Sequence, residues 1–473
     1  MLRKICIANR GEIAVRIIRA CKDLGIKTVA IYSEADKDAL HVHIADEAVC
    51  VGKPSSKDSY LNINNIISAA TLKNCDAIHP GFGFLSENAK FARLVEECGM
   101  IWIGPNSNCI DLMGNKINAR RLMKDAKVPI IPGSVDPIDS LEDGLRQAST
   151  FGYPLMIKAA AGGGGRGIRI VNNDEEFRTV YPIIRQEAKN YFNDESIYIE
   201  KLVKAAKHIE VQIMADKHGH VLHLFERDCS FQRRHQKVIE EAPCHYLSAA
   251  LRQSICSDAV KAAQAVNYDS VGTVEFLLDD QNDSYFMEMN TRIQVEHPVT
   301  EMITGIDLIK NMIRAAGGGT LPYAQEDIKI LGHAIECRIN AEDFRNDFKP
   351  SAGKITFYHA PGGKDVRIDS AAYNGYTIVP FYDSMIAKLI CFGDTRLNAI
   401  KRMRGALEEF IIDGIDNNIE FCYFTMFNST FISGRYTTDF AAEWIKELKE
   451  REHSILQTER MAQSFSKAFY ESR

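Results

Sequence analysis

No stretch of this chain approaches the roughly 18 consecutive apolar residues of a membrane span. The apolar run Ile5-Cys-Ile-Ala8, ahead of Asn9-Arg10, is too short for a signal peptide. The twelve cysteines are scattered singly, with no Cys-x-x-Cys pair and no histidine cluster at zinc spacing. They read as reduced thiols, which excludes a disulfide framework and a zinc module and places the protein in the cytoplasm. A net charge of −6 argues against a general nucleic-acid binder, while leaving room for a local basic patch. Glycine-rich sequence is present, but no Gly-Lys-Ser/Thr closes it, so a Walker A loop is excluded. Internal repeats and low-complexity tracts are also lacking.

What remains is an ordinary globular composition, 45% hydrophobic and 25% charged, in 473 residues. That length suggests roughly three domains. Ile5 to Ala8 reads as a buried strand, Glu12 to Leu24 as a helix closed by Gly25, and Thr28 to Tyr32 as a second strand. The unit repeats through Glu47–Val51, a helix from Ile63, Cys75–His79, a helix after Ser86 and a strand over Met100–Ile103. Strands alternating with helices predict a parallel α/β layer ending near Met113. A helix opening at Gly114-Asn-Lys116 and a proline-rich linker lead into a second unit. Beyond it, Thr300 to Ala316 has the spacing of one helix, and a mixed α and β region follows.

Gly162-Gly-Gly-Gly-Arg-Gly167 formally contains G-x-G-x-x-G, but Ile168-Arg-Ile-Val171 after it reads as a strand where a dinucleotide fold needs a helix. A glycine-rich hairpin tip fits better, its bare amides able to close over phosphate oxygens. Four glycines in a row also fit an exposed turn. Lys116 and Lys158 are candidate phosphate cations, and the extended edge over Ser196 to Val203 suits an adenine ring. His208, Glu210 and Gln212 alternate with apolar residues to give one polar face. Arg227, Arg233, Arg234 and Lys237 crowd one segment, read as anion-binding.

The most informative stretch is Glu288 to Glu296. Extended throughout, it would line up Glu288, Asn290, Arg292, Gln294 and Glu296 on one face. Gly272 to Leu278 and Tyr285 to Asn290 flank a turn-rich segment. If Leu278 pairs with Tyr285, Glu275 falls directly opposite Glu288. Facing like charges destabilise a hairpin. A divalent cation held by Glu275 and Glu288, with Asn290 as a neutral oxygen ligand, removes the objection and suits Mg²⁺.

Together Ala8-Asn-Arg-Gly-Glu-Ile-Ala14, His79–Asn88, the glycine run, Glu226-Arg-Asp-Cys-Ser230, Glu288–Met302 and Glu336–Asp343 resemble biotin carboxylase of the ATP-grasp superfamily, from Met1 to roughly residue 445. The resemblance implies an α/β, ATP-grasp fold: an N-terminal parallel α/β (pre-ATP-grasp) domain over 1–113, linker helices and a glycine-rich lid subdomain over 114–203 with the lid from about 131, a central domain over 204–330 and a C-terminal α+β domain over 331–473. It also implies an enzyme that uses Mg²⁺-ATP (or Mn²⁺-ATP) to phosphorylate bicarbonate and then carboxylates biotin. Lys116, Lys158, His208 and the lid glycines Gly162, Gly163, Gly164 and Gly165 would hold phosphates. Glu200, Lys201, Leu202, Val203, Gln232 and His235 would surround the nucleotide, and Glu275 and Glu288, with Asn290 beside them, would hold the metals. Lys237, Arg292, Gln294 and the Val295 backbone would seat bicarbonate, Glu296 would act as its base, and Arg338 would stabilise the biotin enolate. Ala159-Ala-Ala161 and Phe82 depart from some members, a difference that bears on lid stiffness alone.

No Met-Lys-Met biotinylation sequence is present and there is no room for a carboxyltransferase. The expected partners are therefore a separate biotin carboxyl carrier protein, carboxyltransferase subunits and a second copy of the chain. The expected parent complex is acetyl-CoA carboxylase in fatty acid synthesis, with a two-subunit pyruvate or other acyl-CoA carboxylase as alternative. Another ATP-grasp ligase would hydrolyse ATP indifferently to bicarbonate and biotin. A non-catalytic nucleotide-binding subunit would be expected to lose Glu275, Glu288, Lys237, Arg292, Glu296 or Arg338, and all six are present.

Overall fold

The computed structural model describes residues 2–160, 167–192 and 194–451. The lid glycines Gly162 to Gly165 and the polar tail lie outside the described residues. Among the described residues no helix is long and apolar enough to cross a membrane.

The N-terminal strands β1 (Lys4–Ile7), β2 (Lys27–Ser33), β3 (Glu47–Gly52), β4 (Ala77–His79) and β5 (Ile101–Trp102) form a parallel sheet in the order β3-β2-β1-β4-β5. The strands are apolar runs because helices cover the sheet. The helix Gly11–Asp23 buries Ile13, Ile17, Ala20 and Cys21 against it and ends at Gly25, whose φ of +69° only glycine adopts without strain. The Asn88 and Asn115 side chains cap the helices Ala89–Glu97 and Lys116–Asp125.

A three-stranded antiparallel sheet follows, with β6 (Leu155–Ala159) between β7 (Ile168–Val171) and β8 (Ile197–Lys201). Lys158 pairs with Ile168, so the glycine run joins two antiparallel strands as the hairpin reading requires.

The third sheet is the frame of the cavity. It contains β9 (Lys207–Ala215), β10 (Val221–Arg233), β11 (Gln236–Ala242), β12 (Val271–Leu278), β13 (Ser284–Asn290) and β14 (His333–Asn340). The order is β13-β12-β9-β10-β11-β14, continued by Met385–Gly393 and Val366–Ser370. The sheet crosses residue 330 without a break, because β11 pairs with β14.

Three local expectations are corrected. Leu278 pairs with Ser284 and not with Tyr285, because Asp279 Oδ1 accepts from the amides of Gln281 and Asp283, both at 2.9 Å, and closes the hairpin one residue early. A register shift between Glu275 and Phe276 then restores the predicted opposition of Glu275 and Glu288. The polar row is no single strand, since β13 stops at Asn290 and Thr291 to Glu296 form turns. Finally, Thr300 to Ala316 is two helices, His297–Thr304 and Leu308–Ala316. Gly305, at φ +72°, ends the first, and Asp307 caps the second by accepting from the Lys310 amide at 2.8 Å.

Candidate active site

The antiparallel register sets three glutamates in a row across three strands: Glu210 on β9, Glu275 on β12 and Glu288 on β13. Such a row folds only if cations enter it. Lys237, at the start of β11, supplies one. Its Nζ lies 2.5 Å from Glu210 Oε2, 3.0 Å from Glu275 Oε1 and 2.6 Å from Glu296 Oε1. Burial would lower this ammonium's pKa, but the three carboxylates outweigh it and hold it well above the usual lysine range. In return, Glu275 and Glu296 are held well below the usual carboxylate range. Burial pushes both up, but the charge of Lys237 prevails, aided by His208 at Glu275 and by Arg338 and Arg227 at Glu296.

Glu288 behaves differently. Burial and the charge of Glu275 raise its pKa, and Lys116, 3.9 Å away, only partly offsets them. Two opposed carboxylates, one kept from ionising by burial and by the charge of the other, are what a divalent cation relieves, and the donors are oxygens as Mg²⁺ requires. The pair therefore fits the expected metal. Asn290 stands beside the pair: its amide donates to Glu275 Oε1 at 2.9 Å and its carbonyl accepts from Arg292 Nη2 at 3.0 Å.

Glu296 is the meeting point of the site. Arg338 donates to Glu240 Oε1 from Nε at 2.6 Å and to Glu296 Oε2 from Nη2 at 3.0 Å, so it bridges the two carboxylates. Gln294 donates to Glu275 Oε1 at 2.8 Å and accepts from Arg227 at 2.9 Å. Arg292 is steered by Glu87, whose Oε2 accepts from its Nε at 2.8 Å and whose Oε1 accepts from the Thr291 amide at 3.0 Å.

One cavity of about 1570 Å³ collects Lys237, Arg292, Gln294, Val295, Glu296 and Arg338 with Glu275, Glu288 and Asn290. Lys116, Lys158, Leu202, Val203, His208, Gln232 and His235 line it too. His235 reaches it because Arg234 and His235 form a two-residue turn between β10 and β11, both at positive φ, +50° and +63°. His208 lies 3.1 Å from Glu275 Oε2 and is met on Nδ1 by Gln232 Nε2 at 2.8 Å.

Two expected nucleotide residues, Glu200 and Lys201, are not among the lining of this cavity. Glu200 is buried behind the wall, ion-paired to Arg120 and Lys158, which overcome burial and lower its carboxyl pKa. Lys201 turns its ammonium onto the carbonyls of Phe151, Gly152 and Tyr153 at a helix end, at 2.9 to 3.3 Å. The basic segment is corrected as well, for of its four cations only Lys237 lines the cavity. Arg227 is wholly buried, 2.5 Å from Glu210 Oε1, while Arg233 and Arg234 pair with Asp347 at 2.9 and 2.7 Å.

Comparison with known proteins bears on this arrangement. The family description "Biotin carboxylase, N-terminal domain" matches residues 1–110 and "Biotin carboxylase C-terminal domain" residues 336–443. Between them, "Carbamoyl-phosphate synthase L chain, ATP binding domain" matches residues 115–324. Biotin carboxylase 1 of Bacillus subtilis (strain 168) is 55% identical over 93% of this chain and 98% of its own. The chain belongs to the biotin carboxylase family. A pyruvate carboxylase subunit of Methanothermobacter thermautotrophicus is 48% identical over 100% of this chain and 96% of its own. Among solved structures, a biotin carboxylase from Campylobacter jejuni superposes with a TM-score of 0.91 at 47% identity, covering 94% of this chain and 99% of that one. The biotin carboxylase domain dimer of Hydrogenobacter thermophilus 2-oxoglutarate carboxylase, described with MgADP, ADP and bicarbonate, gives 0.90 at 49% identity, covering 94% and 98%. The predicted family and the ATP-grasp α/β fold are thus borne out.

Three acids that hold lining residues of this biotin carboxylase cavity, Glu210, Glu87 and Glu240, were given no role from the sequence. Glu210 had a visible signal, a polar position alternating on a strand beside His208. Glu87 sits inside a quoted motif, Ser86-Glu-Asn88. Glu240 had none. It is a buried acid whose pKa burial pushes up to about 7 against the pull of Arg338.

Proposed function

We infer that the chain carboxylates biotin with ATP and bicarbonate, and the observation that carries this reading is Glu296. It is a buried carboxylate held ionised by Lys237 and Arg338 in the cavity that also collects Lys116, Lys158, His208 and the Glu275/Glu288 pair. An ionised Glu296 takes the proton from bicarbonate while Arg292, Gln294 and the Val295 backbone hold the anion. A poor nucleophile is thereby oriented and charged in one step. An oxygen of bicarbonate attacks the γ-phosphorus of ATP, the bond to ADP breaks, and carboxyphosphate forms. Lys116, Lys158, His208 and the lid glycines hold the phosphates, and Leu202, Val203, Gln232 and His235 surround the base. Glu275 and Glu288 would hold the divalent ion, which would supply charge neutralisation for phosphoryl transfer. The carboxyl carbon of carboxyphosphate then bonds to N1 of biotin as its bond to phosphate breaks, the N1 proton passes to the departing phosphate, and Arg338 stabilises the enolate.

The four-part division at 113, 203 and 330, with the lid over about 131–203, belongs to the same proposal. A carrier protein brings biotin, and a homodimer is supported by the dimeric Hydrogenobacter thermophilus neighbour. For the parent complex, acetyl-CoA carboxylase is our first reading, supported by several relatives named plainly biotin carboxylase. A two-subunit pyruvate carboxylase is a second, favoured by the match to the Methanothermobacter thermautotrophicus protein running over 100% of this chain against 93% for the Bacillus subtilis relative. ATP hydrolysis is measured with bicarbonate, with and without free biotin. Stimulation by biotin is expected, and its absence overturns the assignment. Capture of the biotinylated carrier and its carboxyltransferase then separates the two complexes.

A further inference from the structure

Lys388 is a completely buried cation in the strand Met385–Gly393, and the reaction above gives it nothing to do. A lysine stripped of water is costly unless each donor finds a partner. Its Nζ donates to the carbonyl oxygen of Val295 at 2.8 Å and lies 3.1 Å from Glu12 Oε1 and 3.9 Å from Asp369 Oδ2. The first helix of the chain, the loop with Gln294, Val295 and Glu296, and the last strands of the sheet therefore meet on one nitrogen.

Register explains why it reaches that loop. Lys388 stands directly opposite Arg338 on β14, so the two side chains leave the same face of the sheet. Arg338 takes the Glu296 carboxylate at 3.0 Å, and Lys388 takes the carbonyl of the preceding residue. One cation thus holds the base by its side chain and the other holds its peptide. With that carbonyl fixed, the peptide plane between Val295 and Glu296 cannot rotate, and the Val295 and Glu296 Cα atoms at its two ends keep their positions.

We propose that Lys388, anchored by Glu12, is a positioning residue for the bicarbonate seat: it locks the Val295–Glu296 peptide so that the Val295 backbone and the Glu296 carboxylate converge on one anion. Neither Lys388 nor Glu12 lines the cavity, so both act through the loop. This inference rests on the reading of residues 292–296 as the bicarbonate seat.

The test is steady-state bicarbonate-dependent ATP hydrolysis by the full chain. Lys388→Met keeps the stem and removes the ammonium. Its KM for bicarbonate should rise about tenfold and its kcat fall, while its KM for Mg²⁺-ATP stays within about twofold. Lys388→Arg should recover part of the loss, and Glu12→Gln should move the bicarbonate KM in the same direction by less. A structural ion pair gives a different result: lower Tm with both KM values unchanged or raised together, which overturns the proposal. If Lys388→Met does not fold, an unchanged bicarbonate KM in folded Glu12→Gln overturns it equally. Arg292→Ala is the reference, because it should raise the bicarbonate KM whatever Lys388 does. Its failure to do so would count against the seat itself and not against the strut alone.

Discussion

Replacing Lys237 by methionine should cost stability in a way that depends on pH, and the dependence is the informative part. The Nζ touches Glu210 at 2.5 Å, Glu296 at 2.6 Å and Glu275 at 3.0 Å. At an effective dielectric constant of about 20, an isolated pair at such a distance is worth up to about 7 kcal/mol. Most of that sum cancels, since the three carboxylates repel one another and each keeps a partner: Arg227 for Glu210, Arg338 for Glu296, and His208, Asn290 and Gln294 for Glu275. The net loss near neutral pH should be about 3–5 kcal/mol, the usual cost of stranding a buried charge. In the native protein Glu275 and Glu296 are held below their unfolded values, so they contribute stability above an unfolded pKa of about 4.3 and lose it as pH falls through the folded pKa. Without the ammonium, burial dominates and their folded pKa values rise above the unfolded ones. The destabilisation should therefore be largest at about pH 8 and shrink towards pH 5 as the stranded carboxyls protonate. Urea unfolding across that range measures it. The acid limb of bicarbonate-dependent ATP hydrolysis should move upward in parallel, because Glu296 must be ionised to act. A stability loss that is flat in pH, or an acid limb that stays in place, would refute the reasoning.

Glu288→Gln removes a carboxyl that burial and Glu275 already resist ionising, so the metal-free Tm should hold or rise. The Mg²⁺ concentration for half-maximal ATP hydrolysis should increase by about tenfold or more, and a magnesium titration that coincides with the parent's would contradict the metal assignment. Arg338→Gln should abolish stimulation by free biotin and reduce ATP cleavage with bicarbonate alone by less, because Lys237 and Arg227 still hold Glu296 ionised, and equal loss of both activities would place Arg338 in the first step only. Arg227→Lys exchanges a fork that serves Glu210, Gln212, Thr273, Gln294 and Thr300 for a single ammonium, and should cost about 3 kcal/mol by urea unfolding. A change below about 1 kcal/mol would show that the buried network relaxes around lysine.

The opposition of Glu275 and Glu288 was legible from alternation, yet the route to it contained two offsetting slips. The hairpin closes one residue early at Asp279, and a register shift restores the pairing. Alternation then failed beyond Asn290, where the chain leaves the sheet, and Gln294 and Glu296 reach the cavity through turns that a period of two does not describe. Arginine-rich sequence from Arg227 to Lys237 looked like one basic cluster. Strand geometry distributes it instead between a buried network, an exposed pair on Asp347 and the cavity.

By itself, then, the sequence determined the strand and helix order of the N-terminal sheet, the glycine-rich hairpin, the carboxylate hairpin and the motifs of the family, because those depend on side-chain periodicity and local turn chemistry. Tertiary structure alone decided which charges share a partner. Lys237 reaches Glu296 across 59 residues, Arg292 reaches Glu87 across 205 and Lys388 reaches Val295 across 93. Such pairings follow from which strands lie side by side and how deeply they are buried, and neither quantity is written in any local pattern of residues.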